Sequence, residues 1–198
     1  MQMQFSNRFS NAKNDKLIRP NVMNINNYQP PLPNIPVLSR EEVKQGQSGK
    51  IKWGAPTWYL FHTLAEKVKE NSFPLIRKEL LDIIFTICTN LPCPDCANHA
   101  TRFMHGVNYD TILTKQDLKE LLFKFHNAVN SKKGFPIFSR SELDDMYSKA
   151  NTANIIINFY NNFKTTGMKV TTNSFYRTTS FNNVKTWIHK MVPLHFDP

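Results

Sequence analysis

Cys93 and Cys96, separated only by Pro94 and Asp95, can close into a small disulfide ring and reopen by exchange with an incoming thiol. His99 follows three residues later, and Cys88 is the one other cysteine among the three in the chain. An odd count of three argues against the disulfide framework of a secreted domain. Two further clusters flank the pair: Trp53-Gly54-Ala55-Pro56-Thr57-Trp58 before it and His126-Asn127-Ala128-Val129-Asn130 after it. Together they point to a dithiol that works beside a bound planar group. Pro94 suits the first position of a helix, which puts Cys93 at the N-cap and Cys96 one turn in, on a face shared with His99 and Phe103. A helix start favours a thiolate, so either cysteine is expected to be more acidic than a free thiol. That arrangement suits an exposed outer sulfur meeting substrate and an inner one passing electrons onward.

Other chemistries fit parts of this pattern. Cys88, Cys93, Cys96 and His99 are four candidate zinc ligands, although structural zinc usually gathers two separated pairs and these come from one short stretch. The spacing of the three cysteines matches plant-type ferredoxins, but the fourth is missing. A thioredoxin-like fold also opens a helix with Cys-x-x-Cys, but after a strand, whereas a helical pattern precedes it here. Cys88 lies on the apolar stripe of that preceding helix and reads as a buried core thiol. His62, His99 and His126 each have an ordinary reading as hydrogen-bonded boundary residues, and Trp58 as a core aromatic. Their company changes the balance. His126 and Asn130 are four apart on one helix face with Asn127 beside them, and burying such groups costs stability unless something hydrogen-bonds them. A flat heterocycle with ring nitrogens and carbonyls would do so.

The elements that must carry these residues are helical. Trp58, Phe61, Ala65 and Val68 form one stripe after Pro56, with His62 four residues beyond Trp58. A second helix begins near Pro74, runs through Leu80, Leu81, Ile84, Phe85, Ile87 and Cys88, and is stopped by Pro92. Thr114 with Asp117 resembles a capping box opening a helix of Leu118, Leu121, Leu122, Phe125 and Val129, which Gly134 and Pro136 end. A fifth helix is expected from Ser141, with Leu143, Met146 and Tyr147 inward. The fold class is therefore all-α: a compact bundle of four to five short helices, with an irregular N-terminal arm and a C-terminal extension. In that extension Ile155-Ile156-Ile157 suits either strand or helix, and Lys185 to Val192 a short helix.

The chain is long enough for one domain with a real core. Its net charge of +10 is unevenly placed. Residues 1–52 carry 8 Lys/Arg against 3 Asp/Glu, residues 53–150 carry 12 against 11, and residues 151–198 carry 5 against 1. The near-neutral centre gives no electrostatic case for nucleic acid there, and the basicity belongs to the flanks. No eighteen-residue apolar run exists, so no membrane span is expected; with no apolar secretory leader either, the chain reads as soluble. Residues 1–51 form an Asn/Pro-rich basic arm whose Tyr28–Pro36 stretch favours polyproline-like backbone, and residues 151–198 an extension with no role legible.

Trp53-Gly54-x3-Trp58-x2-Phe61-His62, Cys93-x2-Cys96-x2-His99 and His126-Asn127-x-Val129-Asn130 resemble, in order and spacing, the FAD-linked sulfhydryl oxidases of the Erv1/ALR family. The similarity covers roughly residues 52–150, and the Asn-rich extensions resemble members encoded by large DNA viruses. The resemblance implies a helical bundle holding FAD, usually as a homodimer, with Cys93 and Cys96 as the catalytic pair. Carried over, Gly54, Thr57, Trp58 and His62 would contact FAD from the first helix, Cys96 and His99 would lie beside the flavin, and His126, Asn127 and Asn130 would bind its adenosine and ribityl side. Lys132 would lie near the phosphates and Tyr147 would stack on adenine; Phe135 stands where many relatives have a second lysine. No metal ligand is implied. The implied activity takes electrons from a dithiol protein, thioredoxin-like or a viral redox protein, and delivers them to O2 as hydrogen peroxide. No second Cys-x-x-Cys is present to relay them, so substrate would reach Cys93 directly. A viral member would work in the host-cell cytoplasm or the virion. The competing non-enzymatic reading is a basic helical interaction protein with a structural Cys/His zinc site.

Overall fold

The computed structural model describes residues 53–163 and 172–198. The basic arm and its proline-rich stretch lie outside the described residues. Among the described residues seven α-helices follow one another: α1 (Gly54–Lys67), α2 (Phe73–Thr89), α3 (Pro94–His105), α4 (Lys115–Lys133), α5 (Arg140–Ser148), α6 (Thr152–Asn162) and α7 (Thr172–His195), with a 3₁₀ turn at Tyr109–Thr111 between α3 and α4. Helices α4, α5 and α6 pack on α1, and α3 and α7 pack on α2.

Local chemistry accounts for the boundaries. Thr114 accepts the backbone N–H of Asp117, whose carboxylate takes the Thr114 N–H in return, so the expected capping box opens α4. Gly134 ends it at φ +70°, a left-handed cap that other residues enter only with strain. A second capping box, Ser139 with Glu142, starts α5 one residue before the expected point. Asn151 resolves the isoleucine run: its side chain accepts the N–H of Asn154 at 2.9 Å and starts a helix. On that helix Ile155, Ile156 and Phe159 face inward while Ile157 is exposed, a division that strand alternation would not give.

The core is continuous across the helices. Leu60 and Leu64 of α1, Leu80 and Ile84 of α2, Leu118 and Leu122 of α4, Phe159 of α6 and Ile188 of α7 are all essentially free of solvent contact. Described residues beyond 150, from Thr152 to Phe163 and from Val184 to Phe196, thus contribute to the packed interior. Residues 195–197 also fasten the turn between α1 and α2: Lys69 donates to the His195 carbonyl at 2.9 Å, Asp197 to that of Lys67 at 2.7 Å, and Val68 pairs with Phe196. Thr152 at the start of α6 donates to the Asp197 carbonyl at 2.8 Å.

Phe159→Ala should therefore destabilise the protein by about 3–5 kcal/mol through the cavity left in this core. Phe175→Ala, at an exposed ring of α7, should change stability by less than about 0.5 kcal/mol. Urea unfolding of both variants checks the contrast.

Candidate active site

The sulfur pair sits where α2 hands over to α3. Asn90 caps α2, its N–H on the Ile87 carbonyl at 3.1 Å and its side-chain amide on that of Thr86 at 2.8 Å. Asn90-Leu91-Pro92-Cys93 then turns the chain into α3. Cys93 is the N-cap in extended backbone, and its Sγ accepts the N–H of Cys96 at 3.2 Å. Both cysteines are half-buried free thiols, and Cys88 is a fully buried one whose burial pushes its thiol up to about 12.

Cys96 lines a cleft of about 270 Å³ between α1, α3 and α4; Cys93 is not part of its lining. The walls are apolar and aromatic, with Trp58 and Phe61 from α1 and Phe125 and Val129 from α4. Gly54, Thr57, His99 and Lys132 complete the set that the sequence brought forward, and the buried Cys88 also reaches the lining. Lys133 was missed, although the tandem at 132 and 133 in the last turn of α4 was its visible signal. It supplies the second cation; Phe135 is half-exposed to solvent.

The expectation of an acidic Cys96 is overturned. Its thiol is pushed up to about 11, first by burial in the cleft and then by the hydrogen bond and charge of Cys93, with Asp95 adding to this and Lys133 opposing it. His99 is held below the ordinary histidine range by burial and by the cations of Lys132, Arg102 and Lys133.

The remaining candidates form a second group behind Trp58. Its ring stacks on His126 with centroids 4.0 Å apart and planes at 11°. His126 Nδ1 lies 3.0 Å from His62 Nε2, and His62 stacks on Tyr147 at 4.9 Å. Burial lowers both imidazoles to about 3, so both are neutral at pH 7 and one donates its ring N–H to the bare nitrogen of the other. This row of rings crosses from the cleft wall to a small cavity of about 20 Å³ lined by His62, Tyr147, Lys119 and Arg140. There Lys119 pairs with Glu66 at 2.6 Å and Asp144 at 2.7 Å, and Arg140 pairs with Glu120.

Asn127 and Asn130 do not need a heterocycle to satisfy them. The Asn127 amide donates to the Phe138 carbonyl at 3.1 Å and accepts the Phe138 N–H at 3.0 Å, while Asn130 donates to the Pro136 carbonyl at 3.0 Å. Both amides hold the connection between α4 and α5 against α4. Among the described residues no group of three or more His, Cys, Asp or Glu is arranged to hold a metal ion, which leaves the zinc alternative without a ligand set there.

The donor set fits the flavin of FAD. Aromatic walls suit a flat ring, a sulfur faces the same space, and two lysines offer charge to phosphates. The volume lies at the lower edge of the ~300–1,000 Å³ of small-molecule sites, as a ring system rather than a whole dinucleotide requires.

Known proteins resemble the chain over this region. Residues 55–148 match the Erv1 / Alr family. The chain is 25% identical over 95 residues to a protein of Invertebrate iridescent virus 6 named for FAD-linked sulfhydryl oxidase (347L), covering 45% of this chain and 86% of the relative. It is 27% identical over 85 residues to one of Invertebrate iridescent virus 3 (096R), covering 42% of this chain and 57% of that relative. With the mitochondrial FAD-linked sulfhydryl oxidase erv1 of Schizosaccharomyces pombe it shares 26% identity over 88 residues, 43% of this chain and 48% of the relative. The match thus spans only about half the length of the last two. No solved structure matches the chain. The matched stretch runs from α1 into α5, so residues 55–148, which match the Erv1 / Alr family, contain both sulfurs and nearly all of the cleft that Cys96 borders.

Proposed function

We propose that the protein is an FAD-linked thiol oxidase that makes disulfides in protein substrates. The observation that carries this reading is the division between the sulfurs: Cys96 borders an aromatic cleft with paired lysines, while Cys93 caps the helix outside the lining. The names of the three relatives support the same activity and cofactor.

The chain's own part in the reaction is disulfide exchange. A substrate thiolate attacks Sγ of Cys93 in the Cys93–Cys96 disulfide, forming a mixed disulfide while the electron pair of the broken S–S bond goes to Cys96. The substrate's second thiolate then attacks the substrate sulfur of that mixed disulfide and releases Cys93. The substrate leaves oxidised, and two electrons and two protons remain on the pair. The Cys96 N–H, which meets Cys93 Sγ at 3.2 Å, is placed to steady charge on the released sulfur. When bound, FAD supplies the acceptor for those electrons and the route to O2, which leaves as hydrogen peroxide.

Trp58, Cys96, His99, Lys132 and Lys133, with Gly54 and Thr57 at the start of α1, are the residues that would hold the cofactor. His62, His126 and Tyr147 back the Trp58 ring, and Asn127 and Asn130 fix the connection that lies over α4. The electron donor in this reading is a protein dithiol, thioredoxin-like or a viral redox protein, that meets Cys93 directly. The enzyme acts as a homodimer in host cytoplasm or virion. Two viral relatives support that setting, and no described helix is long and apolar enough to cross a membrane.

Cys96→Ser should abolish oxygen consumption with a dithiol substrate and leave FAD bound, with Cys93 staying a free thiol because it has no partner sulfur with which to close a disulfide. Full activity in that variant would remove Cys96 from the electron route. Alkylation of the reduced protein tests the electrostatics. Cys96 should react with iodoacetamide more slowly than a free thiol at pH 7, its rate climbing with pH toward a midpoint near 11. Because Cys93 contributes both a hydrogen bond and repulsion that favour the protonated form, Cys93→Ala should bring that midpoint down. Peptide mapping by mass spectrometry separates Cys96 from the slower, buried Cys88.

A further inference from the structure

The four residues that lead from α2 into the redox pair have few ways to hold themselves. Pro92 and Pro94 flank Cys93 and lack an N–H, so neither can tie the turn to a neighbouring carbonyl. The carbonyls of Asn90 and Leu91 lie just past the C-terminal end of α2, where the helix dipole is negative and a cation is favoured. The guanidinium of Arg177 on α7 meets both. A single nitrogen, Nη2, donates to the Asn90 carbonyl at 2.8 Å and to the Leu91 carbonyl at 2.6 Å. Leu91 is itself buried and lines the cleft beside Cys96. Arg177 therefore touches the backbone between a cleft wall and the sulfur that starts α3.

This residue lies outside residues 55–148, the stretch that matches the family. It reaches the site because α7 packs along α2: Val184, Ile188 and Met191 are buried in the core, and Trp187 donates its ring N–H to Glu79 of α2 at 2.9 Å. Removal of one half-buried side chain near the start of α7 leaves those anchors in place.

We infer that Arg177 is a positioning residue for the Cys93–Cys96 pair, by which residues beyond the family domain set how readily the disulfide forms and opens. The inference rests on the reading of Cys93 and Cys96 as the exchanging pair. A pinned turn holds the two sulfurs at high effective concentration relative to each other, which favours the closed disulfide. A released turn lets Cys93 wander from Cys96 and makes the disulfide easier to reduce.

The full-length protein carrying Arg177→Ala is equilibrated with defined mixtures of reduced and oxidised glutathione, and the Cys93–Cys96 state is read by alkylation and mass spectrometry. The equilibrium constant for closing the disulfide should fall about fivefold, a rise in potential of ~20 mV. Arg177→Lys, which restores one donor nitrogen at the turn, should return it to within about twofold of the unmodified protein. Circular dichroism and thermal unfolding should show the fold retained. If Arg177→Ala does not fold, Arg177→Met keeps the apolar stem, removes every donor and should show the same fivefold fall. An unchanged constant in whichever of these two variants folds overturns the inference, as does failure of lysine to rescue. The readout needs no oxygen or flavin turnover. A shifted constant in a protein that consumes no oxygen would sink the oxidase reading and leave the positioning role standing, and an unshifted one in an active oxidase would do the reverse.

Discussion

The turn from Asn90 to Cys93 is the constraint around which the rest of the site is arranged. It must end a buried helix, begin another and present a sulfur at the join, all within four residues. The proline on either side of Cys93 narrows the backbone and removes the N–H groups that would otherwise compete for nearby acceptors. The N–H of Cys96 then finds its acceptor in Cys93 Sγ, so one contact serves both as helix cap and as a tie between the Cys93 sulfur and the backbone of Cys96. Chemistry and folding make the same demand on this sulfur. Anything that loosens the cap also separates the pair.

Behind the cleft, the protein meets a different difficulty: two imidazoles in an apolar bundle. Each would be costly as a cation and costly as an unpaired neutral ring. His62 and His126 answer each other, nitrogen to nitrogen at 3.0 Å, with Trp58 and Tyr147 closing the row at its ends. The row joins α1, α4 and α5 and sets the plane of the Trp58 ring that faces the cleft. The asparagines one turn along serve the same helices differently, by taking over the backbone groups of an irregular connection that has no ladder of its own.

Most of the frame was legible in the residues because local rules and tertiary need coincided. Cys93 with Pro94, Thr114 with Asp117, and Gly134 are signals whose physics acts within four residues, and the structure follows each. The acidity of Cys96 was not legible, because a helix start speaks for a thiolate while the cleft that buries it is built from distant elements. Asn127 and Asn130 misled for a related reason. Sequence shows that a buried amide needs a partner but not that the partner is a carbonyl eleven or six residues away. The length of α7 was hidden as well. Its stretch of Asn, Thr and Ser has weak helical preference, and it is held by a few buried residues against α2 rather than by its own pattern.

The fastening of residues 195–197 to the turn between α1 and α2 also bears on how the protein comes together. Lys69 reaches the Leu194 carbonyl across 125 positions of sequence, whereas α2 and α3, with the sulfurs between them, are neighbours in the chain. Local helix pairs close early because little loop entropy opposes them, and distant contacts close late. On the ribosome α2, α3 and their cysteines emerge well before α7 does, and so Cys93 and Cys96 spend the first part of the molecule's life in a turn that nothing from α7 yet restrains.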